Sequence, residues 1–304
     1  MTASGDRPLV SVIVPVYNDV ARLKTCLADL AQQRYRHLEI VVVDNGSEDI
    51  EAVRTAAAAY RNVTVVEEPA PGSYAARNRG IDAATGDILA FTDADCRPEP
   101  GWIEAGLAQM QAYPTCGLVA GAIDIFTHDS THPVELFESL MGLCQERFVQ
   151  QDHFGATANL FTWPHVFEQV GRFNHKLKSS GDVEWGQRVY AAGLLQIYAP
   201  DAIVRHPARS SFAQLAKQAR RHAGGFYDLQ CRQNASWLGR NWTYARLLGF
   251  HLLPPIMFAW QTARQPRLKT WAQKAKVVYT LCFVRLIIVK SLLQLKFGGI
   301  SARD

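Results

Sequence analysis

Residues 86–98 read Gly-Asp-Ile-Leu-Ala-Phe-Thr-Asp-Ala-Asp-Cys-Arg-Pro, an apolar run followed at once by two aspartates one residue apart. The run from Ile88 to Phe91 is typical of a buried β-strand. Because side chains alternate along a strand, Asp93 and Asp95 are expected to project in the same direction from its carboxyl end. The prolines at the end of this stretch and just beyond it predict that a loop follows the strand.

Two carboxylates at this spacing repel each other unless a positive charge lies between them. Mg²⁺ and Mn²⁺ prefer oxygen ligands and tolerate bound phosphates, so Asp93 and Asp95 are candidate ligands of either cation. A solvated turn rich in aspartate is the alternative, and it is the better interpretation of an isolated Asp-x-Asp. The surrounding sequence therefore has to distinguish a metal site from a turn.

The chain before this motif alternates strand-like and helix-like segments. Residues 9–16, 38–43 and 63–66 are apolar runs, whereas residues 21–33 and 51–60 have helical spacing. This alternation indicates an α/β fold, a Rossmann-like and mostly parallel sheet flanked by helices. Ligands bind such sheets beyond the carboxyl ends of the strands, so a nucleotide site is expected there. The polar residues at these ends are Asn18, Asp44, Ser47, Asp93 and Asp95.

Five motifs follow one another along the chain. They are Val-Ile-Val-Pro-Val-Tyr-Asn at 12–18, Ile-Val-Val-Val-Asp-Asn-Gly-Ser at 40–47, Gly72 with Ala-Arg-Asn-Arg-Gly-Ile at 76–81, Phe-Thr-Asp-Ala-Asp at 91–95, and Gly-Asp-Val-Glu-Trp-Gly-Gln-Arg at 181–188. With these motifs the chain resembles the family 2 glycosyltransferases of the GT-A fold. The resemblance covers the region from residue 8 to residue 210 and implies inverting transfer from a nucleotide sugar.

The first two motifs are expected to bind the nucleoside. Asp44 suits a base N–H because a carboxylate only accepts hydrogen bonds, and the family uses this position for uracil, which favours UDP. An Asx-turn or N-cap role is the alternative for Asp44. Pro15, Tyr17 and Asn18 would shape the loop beneath the nucleotide, with Ser47 nearby, although Pro15 is also a residue that ends strands.

The third motif is expected to bind the donor diphosphate. Arg77 and Asn78 lie at the start of a helical segment that follows a loop at Gly72. A helix amino end together with a guanidinium group is a ready phosphate site. An ion pair with a surface carboxylate is the alternative for an arginine in this segment.

The resemblance implies that Asp93 faces the ribose and that Asp95 binds Mn²⁺ or Mg²⁺, which would stabilise the departing nucleoside diphosphate. The family often supplies a histidine as third ligand. His206, after the strand-like residues 202–204, is in a suitable place for it. A structural or phosphate-binding histidine is the alternative.

The fifth motif is similar to the acidic motif that carries the family's catalytic base. An inverting enzyme needs one base to deprotonate the acceptor hydroxyl, and Asp182 is the candidate. Glu184 is the alternative, because Gly181 replaces the glutamate that usually precedes the aspartate. Arg188 lies four residues after Glu184 and is a possible ion-pair partner for it. Trp185 is either a platform for the acceptor sugar or a core residue.

The carboxyl-terminal third is strongly basic. Residues 205–304 carry 17 Lys and Arg but 2 Asp and Glu, although the whole chain has a net charge of +4. This asymmetry implies an acidic partner. We do not expect nucleic acid, because no nucleic-acid motif accompanies the charge. Two apolar stretches, 247–260 and 277–295, instead favour attachment to an anionic membrane surface.

Neither stretch predicts a clean transmembrane helix. Pro254 and Pro255 interrupt the first, and Arg285 and Lys290 lie within the second. A charge at the bilayer centre costs about 3 kcal/mol on insertion scales. We therefore expect helices in the membrane interface, with burial against the catalytic domain as the alternative.

Residues 218–222, Gln-Ala-Arg-Arg-His, are similar to the Gln-x-x-Arg-Trp of processive polysaccharide synthases. His222 stands in place of the tryptophan that stacks on the growing chain, which disfavours processive synthesis. Arg220 and Arg221 are candidates to close over the donor diphosphate. Binding to lipid phosphates is the alternative for this basic helix face.

Three parts are expected along the chain: a flexible amino terminus at 1–8, a GT-A catalytic domain at 9–210, and a basic helical extension at 211–304. The six cysteines are scattered without a Cys-x-x-Cys pair, which fits a reducing compartment without a zinc site. The polar amino terminus does not read as a signal peptide. A cytoplasmic protein, peripherally associated with the cytoplasmic face of the inner membrane, is therefore expected.

The expected function is metal-dependent, inverting transfer of one sugar from a nucleoside-diphosphate sugar. The expected acceptor is a hydroxyl of a lipid-linked or cell-surface polysaccharide precursor. A sugar nucleotidyltransferase is one alternative, but residues 15–18 lack the Gly-rich loop with Lys or Arg that it would need. The other is a non-catalytic GT-A scaffold at the membrane, against which intact Asp93, Asp95 and Asp182 argue. The oligomeric state is left open.

Overall fold

The computed structural model describes residues 7–232, 236–299 and 301, so residues 1–6 of the expected flexible amino terminus lie outside it. The chain forms two compact units. The unit that we call the sheet unit comprises residues 1–124, 143–175 and 181–206. The unit that we call the helical unit comprises residues 125–142, 176–180 and 207–304.

The strands and helices alternate through the first half, and helices dominate the end of the chain. The strands are β1 (Val10–Val16), β2 (Leu38–Asp44), β3 (Val63–Glu67), β4 (Ile88–Thr92), β5 (Arg97–Pro98), β6 (Cys116–Phe126), β7 (Asn159–Thr162) and β8 (Leu195–Pro207). The helices are α1 (Val20–Ala31), α2 (Ile50–Ala57), α3 (Ser73–Ala83), α4 (Trp102–Ala112), α5 (Pro133–Met141), α6 (Gln145–Arg147), α7 (Pro164–Val170), α8 (Gly181–Ala191), α9 (Phe212–Phe226), α10 (Trp237–Leu252), α11 (Ile256–Ala263) and α12 (Trp271–Lys296). Short π-helical turns follow α6 and α9.

The strands form one sheet in the order β3-β2-β1-β4-β7-β6-β8-β5. β1 pairs in parallel with β2 and β4, and β2 pairs in parallel with β3. β7 runs antiparallel to both β4 and β6, and β5 runs antiparallel to β8. The predicted α/β class is confirmed, and the first four strands of this order form the parallel part of the sheet.

Burial explains why the parallel half was visible in the sequence. Every residue from Val10 to Val14 is buried, so β1 is apolar on both faces. α1 begins after Asp19, whose carboxylate caps the helix by accepting a hydrogen bond from the Arg22 N–H at 3.4 Å. Its leucines at 23, 27 and 30 are buried against the sheet, and each stabilises the fold by roughly 1.5–3 kcal/mol.

Pro15 lies inside β1 rather than after it. The backbone N–H and C=O groups of successive β1 residues point alternately toward β2 and β4. The Val16 carbonyl accepts a hydrogen bond from the Asn45 N–H on the β2 side. The backbone nitrogen of Pro15 therefore points toward β4, whose pairing with β1 ends at Ile13. A missing N–H costs no ladder hydrogen bond at this position.

The loop after β4 is short. Asp93 and Asp95 are partly exposed whereas Ala94 and Cys96 are buried. Asp93 pairs with Arg77 of α3 and Asp95 lies near Arg22 of α1, so the expected common direction of the two carboxylates stays a prediction. The chain then enters β5, where Pro98 pairs with β8. β5 is an edge strand, in which a proline is tolerated. The predicted loop is therefore limited to residues 93–96.

The helical unit has its own apolar cluster, to which α5, α9 and α12 contribute. The buried members of this cluster are Val134, Leu136, Phe137, Leu215, Leu268 and Val277. α12 has 26 residues and, among the described residues, is long and apolar enough to cross a membrane by length and composition. Arg285 and Lys290 lie within this helix, and these two charges are the reason why the sequence predicts a position in the membrane interface instead.

We expect Gly106→Ala to destabilise the protein by about 1–3 kcal/mol, because overpacking forces a rigid core to shift. A Cβ at Gly106 in α4 would lie 2.3 Å from Cζ of the buried Phe161. Gly249→Ala in α10 is the matched control, since a Cβ there meets nothing within 4 Å, and it is expected to be neutral or stabilising by up to about 1 kcal/mol. Thermal and urea denaturation measure both. A Gly106→Ala variant as stable as the parent protein would contradict the packing.

Candidate active site

The loops after β1 and β2 are tied together at the carboxyl edge of the sheet. The Asn18 N–H donates to Ser47 Oγ at 2.9 Å, and the Glu48 N–H donates to Asn18 Oδ1 at 2.9 Å. Asn18 adopts a positive φ of 49°, which asparagine tolerates better than most residues. Tyr17 is left exposed beside this junction. Three of the residues assigned to the nucleotide thus meet at one point.

Asp44 uses its two carboxylate oxygens differently. Oδ2 accepts hydrogen bonds from the Gly46 and Ser47 N–H groups at 3.0 and 3.1 Å, which is the Asx-turn arrangement. Oδ1 is buried and accepts no hydrogen bond from any described residue. A buried acceptor without a partner costs about 1–3 kcal/mol, so a ligand N–H at Oδ1 would be strongly favoured. Oδ2 therefore has the Asx-turn role, and the binding of a base N–H by Oδ1 stays a prediction.

Arg77 is buried in an ion pair with Asp93. Its guanidinium donates to Asp93 Oδ1 at 2.5 Å, and its carbon Cζ lies 5.6 Å from the centroid of the Tyr74 ring. Arg77 Nε is buried and, within the described part of the chain, has no hydrogen-bond partner. Arg77 thus pairs with the first aspartate of the Asp-x-Asp motif rather than with a surface carboxylate, and its assignment to the donor diphosphate stays a prediction.

Gly72 and Asn78, the other residues assigned to the diphosphate, differ in their surroundings. Gly72 precedes α3 with a φ of 120°, a conformation that favours glycine, and its N–H donates to Asn45 Oδ1 at 2.7 Å. Asn78 exchanges two hydrogen bonds with the backbone of Phe173, at 2.8 and 3.1 Å. Its amide is therefore engaged in holding α3 to the segment before α8. The structure does not bring Asn78 into the group formed by Arg77 and Asp93.

Asp95 and His206 approach each other from the loop after β4 and from the end of β8. Asp95 Oδ2 lies 3.8 Å from His206 Nε2 and 3.8 Å from a guanidinium nitrogen of Arg22. Burial raises the pKa of Asp95, whereas His206 and Arg22 lower it. Arg22 was not singled out in the sequence, because only the start of α1 beside the loop brings it here.

The donor set at this point fits a divalent cation. Ligand atoms of Asp95, Cys96 and His206 lie within 4.8 Å of one another. Mg²⁺ and Mn²⁺ prefer oxygen and imidazole ligands to a thiol, and the Cys96 side chain is fully buried. Asp95 and His206 therefore remain as the candidate ligands, with one oxygen of Asp93 already bound by Arg77. A carboxylate with an imidazole suits a cation that also binds phosphate oxygens.

Asp182 lies in the first turn of α8 and is partly buried. Its Oδ1 accepts hydrogen bonds from the Val183 N–H at 3.0 Å and from the Tyr74 hydroxyl at 3.2 Å. Burial raises the pKa of Asp182, and Arg77 with these two hydrogen bonds lowers it. Tyr74 precedes Arg77 by one helical turn and was missed in the sequence, although the glycine at 181 was a signal of altered surroundings.

Glu184 and Trp185 have structural surroundings. Both oxygens of Glu184 accept from Arg188, at 2.8 and 3.0 Å, and Arg188 also donates to backbone carbonyls of residues 170–172. Trp185 is fully buried, and its ring stacks on Phe167 at 4.7 Å. Trp185 is therefore a core residue rather than a platform for a sugar. Glu184 is held by its arginine, which leaves Asp182 as the better candidate base.

Arg220 and Arg221 lie on α9 of the helical unit. Arg220 is exposed and Arg221 is partly buried. Burial, together with the charges of Arg221 and Arg209, lowers the pKa of the neighbouring His222 to about 4. The assignment of Arg220 and Arg221 to a phosphate stays a prediction.

Comparison with known proteins agrees with this geometry. The profile of glycosyl transferase family 2 matches residues 11–174. Glycosyltransferase AglE of Haloferax volcanii is 34% identical over 289 residues, which cover 93% of this chain and 91% of that protein. The pre-mycofactocin glycosyltransferase of Mycobacterium tuberculosis is 31% identical over 209 residues, which cover 66% of this chain and 43% of that protein.

A solved structure has the same fold. The mannosyltransferase PcManGT from Pyrobaculum calidifontis, in complex with GDP-Man and Mn²⁺, superposes with a TM-score of 0.63 over 95% of this chain and 87% of its own. The sequence identity is 21%, so this likeness concerns the fold. The predicted fold, family and enzyme class are confirmed, and the nucleotidyltransferase alternative is set aside. The chain belongs to glycosyl transferase family 2 and is a glycosyltransferase with the GT-A fold.

Proposed function

We propose that this glycosyltransferase moves one sugar from a nucleoside-diphosphate sugar to a hydroxyl of a lipid-linked or cell-surface polysaccharide precursor, with inversion at the anomeric carbon. The observation that carries the proposal is the buried oxygen Asp44 Oδ1, which accepts no hydrogen bond from the described residues. It lies at the carboxyl end of β2, on the same edge of the sheet as Asp93 and Asp95. A nucleobase N–H suits Asp44 Oδ1, and a diphosphate with its cation suits Asp93 and Asp95.

UDP is the first donor nucleotide to test, and GDP is the alternative. Uracil and guanine both present a ring N–H that a carboxylate oxygen accepts. The mannosyltransferase from Pyrobaculum calidifontis has GDP-Man and Mn²⁺ bound, which supports a nucleotide sugar and a divalent cation for the shared fold.

Asp95 and His206 would hold Mn²⁺ or Mg²⁺, beside the Asp93 carboxylate that Arg77 orients. When bound, the cation supplies Lewis-acid stabilisation of the departing nucleoside diphosphate. Arg77 would orient the Asp93 carboxylate through Oδ1, so that the second oxygen of Asp93 is available to the ribose of the donor. The alternative, a non-catalytic GT-A scaffold, would be favoured by nucleotide binding that does not depend on a metal ion.

Asp182 would accept the proton of the acceptor hydroxyl while the hydroxyl oxygen attacks the anomeric carbon. The new carbon–oxygen bond forms as the bond to the diphosphate breaks on the opposite face, which inverts the configuration. A base works best when its pKa is not far below the working pH, and burial raises the pKa of Asp182. Glu184 is the weaker candidate because Arg188 binds both of its oxygens.

The helical unit would attach the enzyme peripherally to an anionic membrane at the cytoplasmic face. Large apolar side chains are exposed along α10, α11 and the turn between them. They are Trp237, Leu238, Trp242, Phe250, Leu252, Leu253, Ile256, Met257 and Trp260. A patch of this kind marks an interaction surface, and the excess of Lys and Arg in residues 205–304 matches anionic headgroups.

Two arginines lie where headgroups would meet this surface. Arg264 Cζ lies 3.6 Å from the centroid of a Trp260 ring, and Arg285 Cζ lies 5.2 Å from the centroid of Phe250. Arg285 also donates to the Leu253 carbonyl at 2.6 Å. Arg285 is in the middle of α12, where a crossing helix would carry it into the hydrocarbon at a cost of about 3 kcal/mol. These contacts favour an interfacial position over a membrane-crossing one.

Titration calorimetry of the full-length protein with UDP, GDP and TDP, in Mn²⁺, in Mg²⁺ and in EDTA, tests the donor site. We expect one nucleotide to bind, with affinity reduced about tenfold or more in EDTA. Asp95→Ala should remove the metal dependence, because it removes a ligand. Asp201→Ala, an exposed aspartate on β8, is the control and should bind as the parent does. Unchanged nucleotide affinity of Asp95→Ala in Mn²⁺ would refute the metal assignment, and absence of nucleotide binding would favour the scaffold.

Asp182→Asn and Glu184→Gln distinguish the two candidate bases. Nucleoside diphosphate released from the bound nucleotide sugar, in the presence of membrane lipid extract, is the activity measured. We expect Asp182→Asn to lose about 100-fold or more of this activity at unchanged nucleotide affinity, since it removes the general base. Glu184→Gln should keep the activity and lower the melting temperature, because Arg188 loses its partner. The reverse pattern would assign the base to Glu184.

The double variant Ile256→Asp/Met257→Asp tests the membrane surface by vesicle sedimentation. The parent protein should bind phosphatidylglycerol vesicles, more weakly at high salt, and the double variant should lose this binding about tenfold or more. Both side chains are at least 71% exposed, so the fold should tolerate the change. Leu195→Asp, which alters a leucine that is 51% exposed in the sheet unit, is the matched control. Equal binding by parent and double variant would move the surface elsewhere.

A further inference from the structure

The glycine at 181 is the one departure from the family's acidic motif, and the structure gives a steric reason for it. A Cβ at Gly181 would lie 2.7–2.8 Å from three carbons of the Tyr74 ring. Such contacts are far below van der Waals distance, and a buried ring cannot move away easily. The Tyr74 ring thus occupies the space that any side chain at position 181 would need.

The Tyr74 ring is itself held from several sides. It is buried, its centroid lies 6.0 Å from that of Phe173, and the Arg77 guanidinium lies over it at 5.6 Å. Its hydroxyl reaches the carboxylate of Asp182, the residue that follows the glycine. α3 and the first turn of α8 are therefore joined by the hydrogen bond from the Tyr74 hydroxyl to Asp182. This hydrogen bond requires that residue 181 has no side chain.

We propose that Tyr74 is a positioning residue for the base: its hydroxyl, admitted by the absence of a side chain at Gly181, fixes the Asp182 carboxylate through Oδ1 and directs Oδ2 to the acceptor hydroxyl. The inference rests on the proposed role of Asp182. It replaces the missing glutamate of the family motif with a phenol that comes from a different helix. The proton from the acceptor still goes to Asp182, and Tyr74 keeps its own.

The electrostatics agree with this geometry. Burial and the charge of Asp182 raise the pKa of Tyr74, so its hydroxyl stays a donor. The groups that face Asp182 are Arg77 and Tyr74 from α3 and the Val183 N–H from α8, and all three lower the pKa of Asp182 against the effect of burial. Removing the hydroxyl removes one hydrogen bond to the ionised carboxylate. The pKa of Asp182 must then rise, and the carboxylate becomes protonated at a higher pH.

Carbon-13 NMR of aspartate side chains measures this directly in the full-length protein without donor or acceptor. The Asp182 resonance is identified by its loss in Asp182→Asn. In Tyr74→Phe we expect its titration midpoint to move upward by about one pH unit. Tyr35→Phe is the matched control, because Tyr35 is also buried and its hydroxyl donates to the Pro8 carbonyl at 2.5 Å. An unchanged Asp182 midpoint in Tyr74→Phe would overturn the inference.

A double-mutant cycle of Tyr74 and Gly181 tests the steric part of the proposal, that the Tyr74 ring fills the space beside position 181. Gly181→Ala should lower the rate of nucleoside diphosphate release about tenfold or more while leaving nucleotide affinity unchanged, because it displaces the ring and the base. In a Tyr74→Ala background, which leaves room for a Cβ, adding Gly181→Ala should change the rate little. Additive losses in the two backgrounds would contradict the steric pairing.

The outcomes separate this inference from the function on which it rests. An active Asp182→Asn would remove the base assignment and with it the positioning role. An inactive Asp182→Asn, combined with unchanged midpoint and rate in Tyr74→Phe, would leave the base in place and refute Tyr74 alone. A shifted midpoint in Tyr74→Phe together with a non-additive cycle would support both.

Discussion

The ion pair between the buried Arg77 and the partly exposed Asp93 is the interaction on which the candidate active site depends. Several carboxylates lie at one edge of the sheet, and such crowding is tolerated only where a cation compensates it. The Arg77 guanidinium, 4% exposed, binds Asp93 and leaves Asp95 to face His206. The same guanidinium covers the Tyr74 ring and lowers the pKa of Asp182. One buried charge therefore links Asp93, beside the candidate metal ligands, to Asp182, the candidate general base.

The parallel half of the fold was predictable because its physics is local. β1, β2 and β4 are buried on both faces, so each of these strands is a nearly continuous run of apolar residues that can be recognised in the sequence. β7 has only 4 residues and pairs antiparallel with β4, more than 60 residues earlier in the chain. Nothing in its own sequence specifies such a distant partner. For the same reason the two-residue β5 was read as loop.

The site was predictable where a side chain follows a strand end and not where it depends on helix rotation. Asp44 ends β2, and Asp93 and Asp95 follow the end of β4, so the strand ends alone place all three at one edge of the sheet. Arg77 and Asn78 are adjacent in α3, so they point about 100° apart. Arg77 consequently meets Asp93, whereas Asn78 meets the backbone of Phe173. The sequence of the motif alone does not specify how α3 is rotated about its axis, and so does not predict which of the two side chains points into the site.

The pairing of β5 with β8 has an entropic consequence. Arg97 pairs with Arg205 and Pro98 with Val204, so hydrogen-bonded strands begin within two residues of both Asp95 and His206. Asp95 and His206, the two candidate ligands, are thus joined through a backbone ladder without any cation. Little conformational freedom would be left to lose on binding, and preorganised sites of this kind bind with a smaller ordering penalty. The smallest strand of the sheet would thereby hold the two candidate ligands at a fixed separation for a cation.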